Sequence, residues 1–168
     1  MVGWIDDSEV ASLWRRVCDG IRASPEGVSI DAQAFVDASL SIISIFDLIS
    51  GMGVAKGDMV GNASTLRKLA EAHAPGVTLQ NLVGKELASG ALKKLVGDGR
   101  TATCALLWLV RALTFVQRMI EALVASDKSM KDCVLAGYER SLKPYHGMCA
   151  SADLPSPWTR PVDPPASR

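Results

Sequence analysis

"TATCALLWLVRALTFVQRMIEALVA", residues 101–125, is the stretch on which the fold turns. It is the most apolar part of the chain, and Arg111, Arg118 and Glu121 are its only charges. Arg118 and Glu121 follow Arg111 at offsets of seven and ten, so all three share one narrow helical face. A helix this apolar either spans a bilayer or lies in a protein core. The uncharged run from Thr101 ends at Arg111, well short of the ~20 residues that a span needs. The stretch therefore reads as a buried central helix.

A buried helix needs partners, and helical patterns flank it on both sides. Downstream, a helix is predicted from about 130 to Lys143, where Pro144 ends or bends it. Upstream, Val10, Leu13, Trp14, Val17 and Ile21 recur at helical spacing, which predicts a helix over 8–23. A second is expected over 30–50, including "LSIISIFDLIS", with the glycine-rich "GMGVAKG" as its stop. A third covers 58–73, a fourth starts near Thr78, and "SGALKKLVGDG" reads as a short, loosely helical connector. No strand-like alternation interrupts the series, so the fold class is all-α. Residues 151–168, "SADLPSPWTRPVDPPASR", hold five of the eight prolines. The organisation is therefore a helical domain over 1–150 and an extended or disordered proline-rich tail over 151–168.

Charge excludes some functions. The 168 residues carry 18 basic and 18 acidic side chains, which gives no net charge to drive nucleic-acid binding. Cys18, Cys104, Cys133 and Cys149 have neither CxxC nor metal-ligand spacing and read as buried thiols in a reducing compartment. "MVGWIDDSEV" lacks the basic and apolar runs of a secretion signal, so a cytoplasmic location is expected. No G-x-S-x-G, phosphate loop or metal constellation is present. No catalytic, cofactor or metal site is therefore expected, and the chain is not read as an enzyme.

What remains is a set of polar residues beside very apolar helices. Asp58 and Asn62 stand one turn apart on the third helix, with Thr65 a turn further on. The plain reading is that Asp58 caps that helix and Asn62 is solvated. Trp108 lies within the long apolar stretch, and His146 follows a helix end. Helices apolar around most of their circumference are either sandwiched between layers or line a space for an apolar guest; 48% of the residues are hydrophobic.

Together and in order, these residues resemble the glycolipid transfer protein family, whose members carry sphingolipids between membranes without chemical change. The matching segments are "DMVGN" at 58–62, "TLQNLVGKEL" at 78–87, "LLWLVRALTFVQ" at 106–117 and "LKPYHGM" at 142–148. With the preceding helix that "FDLISGMG" ends, they cover about 35–148. The resemblance implies a two-layer all-α sandwich with lipid chains between the layers and the headgroup at a surface site. It implies that Asp58 and Asn62 bind sugar hydroxyls, with Asp58 also taking the sphingoid amide N–H. His146 would donate to the amide carbonyl, Trp108 would face the sugar ring, and Arg111 and Thr65 are weaker candidates. A carboxylate and an amide one turn apart do supply acceptors and donors suited to sugar hydroxyls.

The chain departs from the family pattern at three places. Thr65 stands where glycolipid-binding members usually carry lysine, and Met148 stands where an aromatic often follows "HG". The proline-rich tail stands where the family continues with an apolar segment, so the last family helix is expected to be missing. The favoured partner is a glycosylceramide, with ceramide-1-phosphate second because Asn62, not lysine, follows Asp58 by four. A monomer with transient peripheral membrane contact is expected. A non-transferring lipid sensor or helical adaptor is the other reading.

Overall fold

The computed structural model describes residues 8–23, 29–90, 92–125 and 129–145. Ser8 opens α1 (Glu9–Ala23), its Oγ accepting from the Ala11 N–H at 3.1 Å. Asp31 caps α2 (Ala32–Ile43), its carboxylate accepting from the Ala34 N–H at 2.7 Å. α3 spans Gly53–Glu71. α4 (Leu79–Ser89) starts from a reciprocal capping box between Thr78 and Asn81. α5 (Leu92–Gly97), α6 (Ala102–Ala125) and α7 (Met130–Ser141) follow. Among the described residues the extended pairing is a single antiparallel bridge, Asp31 to Thr78, which ties together the starts of α2 and α4.

The all-α expectation holds, with two departures in the first half. The helix expected over 30–50 leaves α geometry after Ile43 and tightens into a 3-10 turn over Ser44–Leu48. Ser41 Oγ donates to the Ala38 carbonyl at 2.7 Å and Ser44 Oγ to the Ser41 carbonyl at 2.9 Å. Hydroxyls that bond back to helix carbonyls compete with the ladder and bend it. The second departure concerns α3, which begins at Gly53 rather than 58. Only the first part of "GMGVAKG" acts as a stop: Gly51 takes φ +84°, and the chain re-enters a helix at Gly53. Asp58 therefore lies inside α3 and does not cap it.

The chain divides into two compact units, Met1–Leu113 and Thr114–Arg168. In the first, α2 packs against α1 and α3. α3 buries Ala55, Met59, Ala63, Leu66 and Ala70, one stripe at helical spacing, and α2 buries Ala32, Val36 and Ile43. Trp14 of α1 meets Phe35 edge to face, ring centroids 6.1 Å apart. Ser39 is fully buried, and its hydroxyl is satisfied by donating to the Phe35 carbonyl at 2.7 Å. In the second unit, α7 buries Cys133, Gly137 and Ser141 at four-residue intervals. A Cβ on Gly137 would stand 3.1 Å from both Met119 N and the Phe115 carbonyl oxygen. Glycine there is what lets α7 approach the α6 backbone so closely. α7 ends at Ser141, three residues before Pro144.

α6 matches its expected span to within one residue, but it is not buried all round. Only 39% of its most apolar window is covered, although its length and composition would suffice to cross a membrane. Ala102, Ala105, Leu109, Ala112, Val116 and Met119 form the buried stripe, whereas Val110 is 46% exposed and Val124 81% exposed. The helix is apolar on more sides than are covered. Of the three described cysteines, Cys104 and Cys133 are buried as expected, whereas Cys18 is exposed on α1. His146, Cys149, Met148, the boundary after residue 150 and the tail lie outside the described residues.

Candidate functional site

The early start of α3 sets the position of Asp58. With Gly53 as its first residue, the helix places its buried stripe at 55, 59, 63, 66 and 70. Asp58 and Asn62 fall beside that stripe, each one residue before a buried neighbour, and both are half-buried. Asn62 Nδ2 donates to the Asp58 backbone carbonyl at 3.0 Å and to Asp58 Oδ2 at 3.3 Å. The amide thus holds the carboxylate in place along the helix face. Burial pushes the Asp58 carboxyl above its ordinary value.

Thr65 lies a turn beyond Asn62, but its hydroxyl donates to the Gly61 carbonyl at 3.1 Å. Arg67 is turned to another side, as helix geometry requires, and its Nη2 bonds Asp37 Oδ1 of α2 at 2.5 Å. Lys56, the lysine nearest Asp58 in sequence, is engaged with Asp47, at 2.5 Å and 2.7 Å to its two carboxylate oxygens.

On α6, Trp108 and Arg111 form the second predicted pair. The Arg111 guanidinium carbon lies 4.9 Å from the Trp108 ring centroid, within cation–π range. One indole face is thereby covered by a cation. The structure thus pairs Asp58 with Asn62 on α3 and Trp108 with Arg111 on α6, and gives Thr65 to its own helix.

The sequence reading missed an apolar cleft in the first unit. It has a volume of about 420 Å³ and is lined by Ile30, Phe35, Leu79, Val83, Leu106 and Val110, with Gln80 as its polar member. Leu106 and Val110 are one turn apart on α6, and Trp108 is roughly 200° of helical rotation from either, so the cleft opens on the far face from the indole. The signal was present as two matching periodicities, 79–83 and 106–110, but only a structure shows that they face each other across a gap.

The sequence matches the profile described as glycolipid transfer protein (GLTP) over residues 30–153. The chain belongs to the glycolipid transfer protein family. The Danio rerio glycolipid transfer protein is 30% identical over 136 residues, which is 75% of this chain and 63% of that protein. Glycolipid transfer protein 1 of Arabidopsis thaliana is 30% identical over 121 residues, 70% of this chain and 58% of that one. The crystal structure of a fungal glycolipid transfer protein superposes with a TM-score of 0.62 at 31% identity, covering 73% of this chain and 60% of that one. The fold is thus the all-α glycolipid transfer protein fold. The chain spans a little over three-fifths of the length of the Danio rerio and Xenopus tropicalis glycolipid transfer proteins.

Proposed function

We propose that this chain is a non-enzymatic sphingolipid carrier that recognises a sugar headgroup through Asp58 and Asn62. Trp108 supplies a stacking surface, and Arg111 and His146 add further polar contacts. The observation that carries this reading is the Asp58–Asn62 pair: a half-buried carboxylate, raised by burial, steadied by one amide on the same helix. A carboxylate in that condition gains from each hydroxyl or amide N–H a ligand brings, because charge-assisted hydrogen bonds are stronger away from bulk water. A sugar ring offers adjacent hydroxyls, and the sphingoid amide offers an N–H.

The same observation favours sugar over phosphate. A phosphate reader surrounds its ligand with cations, which hold a neighbouring carboxyl down. Asp58 is instead raised, Lys56 is engaged by Asp47, and Arg67 by Asp37. Arg111 is the cation a phosphorylated ceramide would use, and it sits over Trp108.

Contact with the bilayer fits the turn before α3. Leu48 is 85% exposed at the end of the 3-10 turn, and Val54 is 48% exposed in the first turn of α3. Val54, Asp58 and Asn62 follow at i, i+4 and i+8, so an apolar tip leads along one helix face to the carboxylate. Lipid chains supply much of the affinity at ~0.8 kcal/mol per methylene removed from water. The carrier is expected to act as a cytoplasmic monomer that touches membranes only transiently.

The test is transfer of labelled lipid between vesicles by the whole chain, with headgroup analysis of the recovered lipid. Glycosylceramide moved intact, faster than ceramide-1-phosphate, is the expected result. Lipid held but not moved would make the chain a sensor. A purified protein that retains no lipid in native mass spectrometry would leave the helical-adaptor reading.

A further inference from the structure

Glu86 lies on α4, away from the residues assigned above, and its carboxylate accepts three hydrogen bonds from the start of another helix. Its Oε1 accepts from the Ala102 N–H at 2.6 Å. Its Oε2 accepts from the Thr103 N–H at 2.8 Å and from the Thr103 hydroxyl at 2.6 Å. Ala102 and Thr103 are the first two residues of α6, and their N–H groups have no partner within the helix. Thr101 completes the terminus: its Oγ accepts from the Cys104 N–H at 3.1 Å and donates to the Leu95 carbonyl at 2.7 Å. A charged fork from a neighbouring helix thus grips the positive end of the helix that carries Trp108.

The register of the two helices gives this grip its consequence. Glu86 meets Thr103, while Val83 and Leu79 line the apolar cleft opposite Leu106 and Val110. Positions fall along α4 as they rise along α6, so the helices run antiparallel. Immediately beyond the clasp their seam opens into the cleft rather than closing on packed side chains. Ala105, Leu109 and Ala112 seat α6 along its buried stripe, and the clasp adds a directional polar constraint on the α4 side. Trp108 and Arg111 lie in the next two turns.

We propose that Glu86 is a positioning residue for the headgroup site: by gripping the first turn of α6 it sets the rotation of that helix, and so the direction in which Trp108 and Arg111 face. The effect on lipid choice rests on the carrier reading above; the effect on Trp108 does not.

The experiment compares the whole chain with Glu86→Ala, Glu86→Gln and Thr103→Val. The Trp108 indole N–H resonance is recorded without lipid, and affinities for glycosylceramide and unsubstituted ceramide in bicelles are measured at a temperature where circular dichroism shows every protein folded. Expected is a displaced Trp108 resonance in Glu86→Ala, with the Trp14 resonance unmoved. Glycosylceramide affinity falls about tenfold, the size of one lost hydrogen-bonded contact, while ceramide affinity is unchanged. Glu86→Gln keeps one acceptor and lies between, and Thr103→Val, which spares both backbone bonds, stays near the parent. An unmoved Trp108 resonance in Glu86→Ala overturns the proposal, whatever the lipid results. So does an equal loss for both lipids, which marks a purely structural cap. If the parent chain does not prefer glycosylceramide, the carrier reading fails, and the indole resonance alone decides the role of Glu86. Should Glu86→Ala not fold, Glu86→Gln decides by the same two readouts.

Discussion

Two half-buried carboxylates in the first unit, Glu86 on α4 and Asp58 on α3, have opposite surroundings. Glu86 receives three donors between 2.6 and 2.8 Å from another helix. Asp58 receives one amide at 3.3 Å from its own helix, and burial raises its carboxyl. The first carboxylate is supplied as a structural group must be, because two of its three donors are backbone N–H groups that would otherwise go unmet. Among the described residues the second is undersupplied, which is the condition expected of a group whose further partners arrive with a ligand.

The strongest way to break this comparison is Asp58→Val. Glycosylceramide affinity should fall about a hundredfold, as expected when a charged acceptor making two hydrogen bonds is lost, with an unchanged circular dichroism spectrum. Undiminished binding by isothermal titration would show that Asp58 is not the headgroup acceptor. Glu86→Ala should have the complementary signature. It leaves two helix N–H groups without their acceptors, at a cost of about 1–3 kcal/mol for each group that stays buried and unmet, read as a lowered Tm.

Asp58→Asn sharpens the contrast through pH. In the folded chain Asp58 holds its proton more readily than in the unfolded chain, so its ionised form costs stability once pH rises through the raised carboxyl range. The variant should therefore melt higher than the parent at pH 7, with the difference shrinking as the pH falls through that range. A variant that melts lower at pH 7 would mean that Asp58 is structurally supplied after all. The smallest effect belongs to Thr65→Val, whose hydroxyl serves its own helix. Affinity within about twofold of the parent, a few tenths of a kcal/mol, is expected by the same titration.

Much of the fold was legible because its signals are local. α6 was visible from its apolar length, α4 from the Thr78 cap, and α7 from its periodicity and Pro144. The start of α3 was misread because Gly53 and Gly57 count against a helix by propensity, and only the φ of Gly51 shows which glycine stops the chain. The break after Ile43 depends on serine hydroxyls turning to the backbone, which spacing does not reveal. In the site, the pairing of Asp58 with Asn62 followed from an i, i+4 spacing. Glu86 was out of reach, because sixteen or seventeen residues separate it from the N–H groups it accepts, and only tertiary packing closes that distance.

The most direct measurement is a titration of the isotopically labelled chain with soluble short-chain glycosylceramide, following the Asn62 side-chain amide and the Trp108 indole by NMR. Both resonances should shift together and saturate at one lipid per chain, with a weaker response to ceramide-1-phosphate. Saturable lipid binding that leaves both resonances in place would contradict a headgroup site built on α3 and α6.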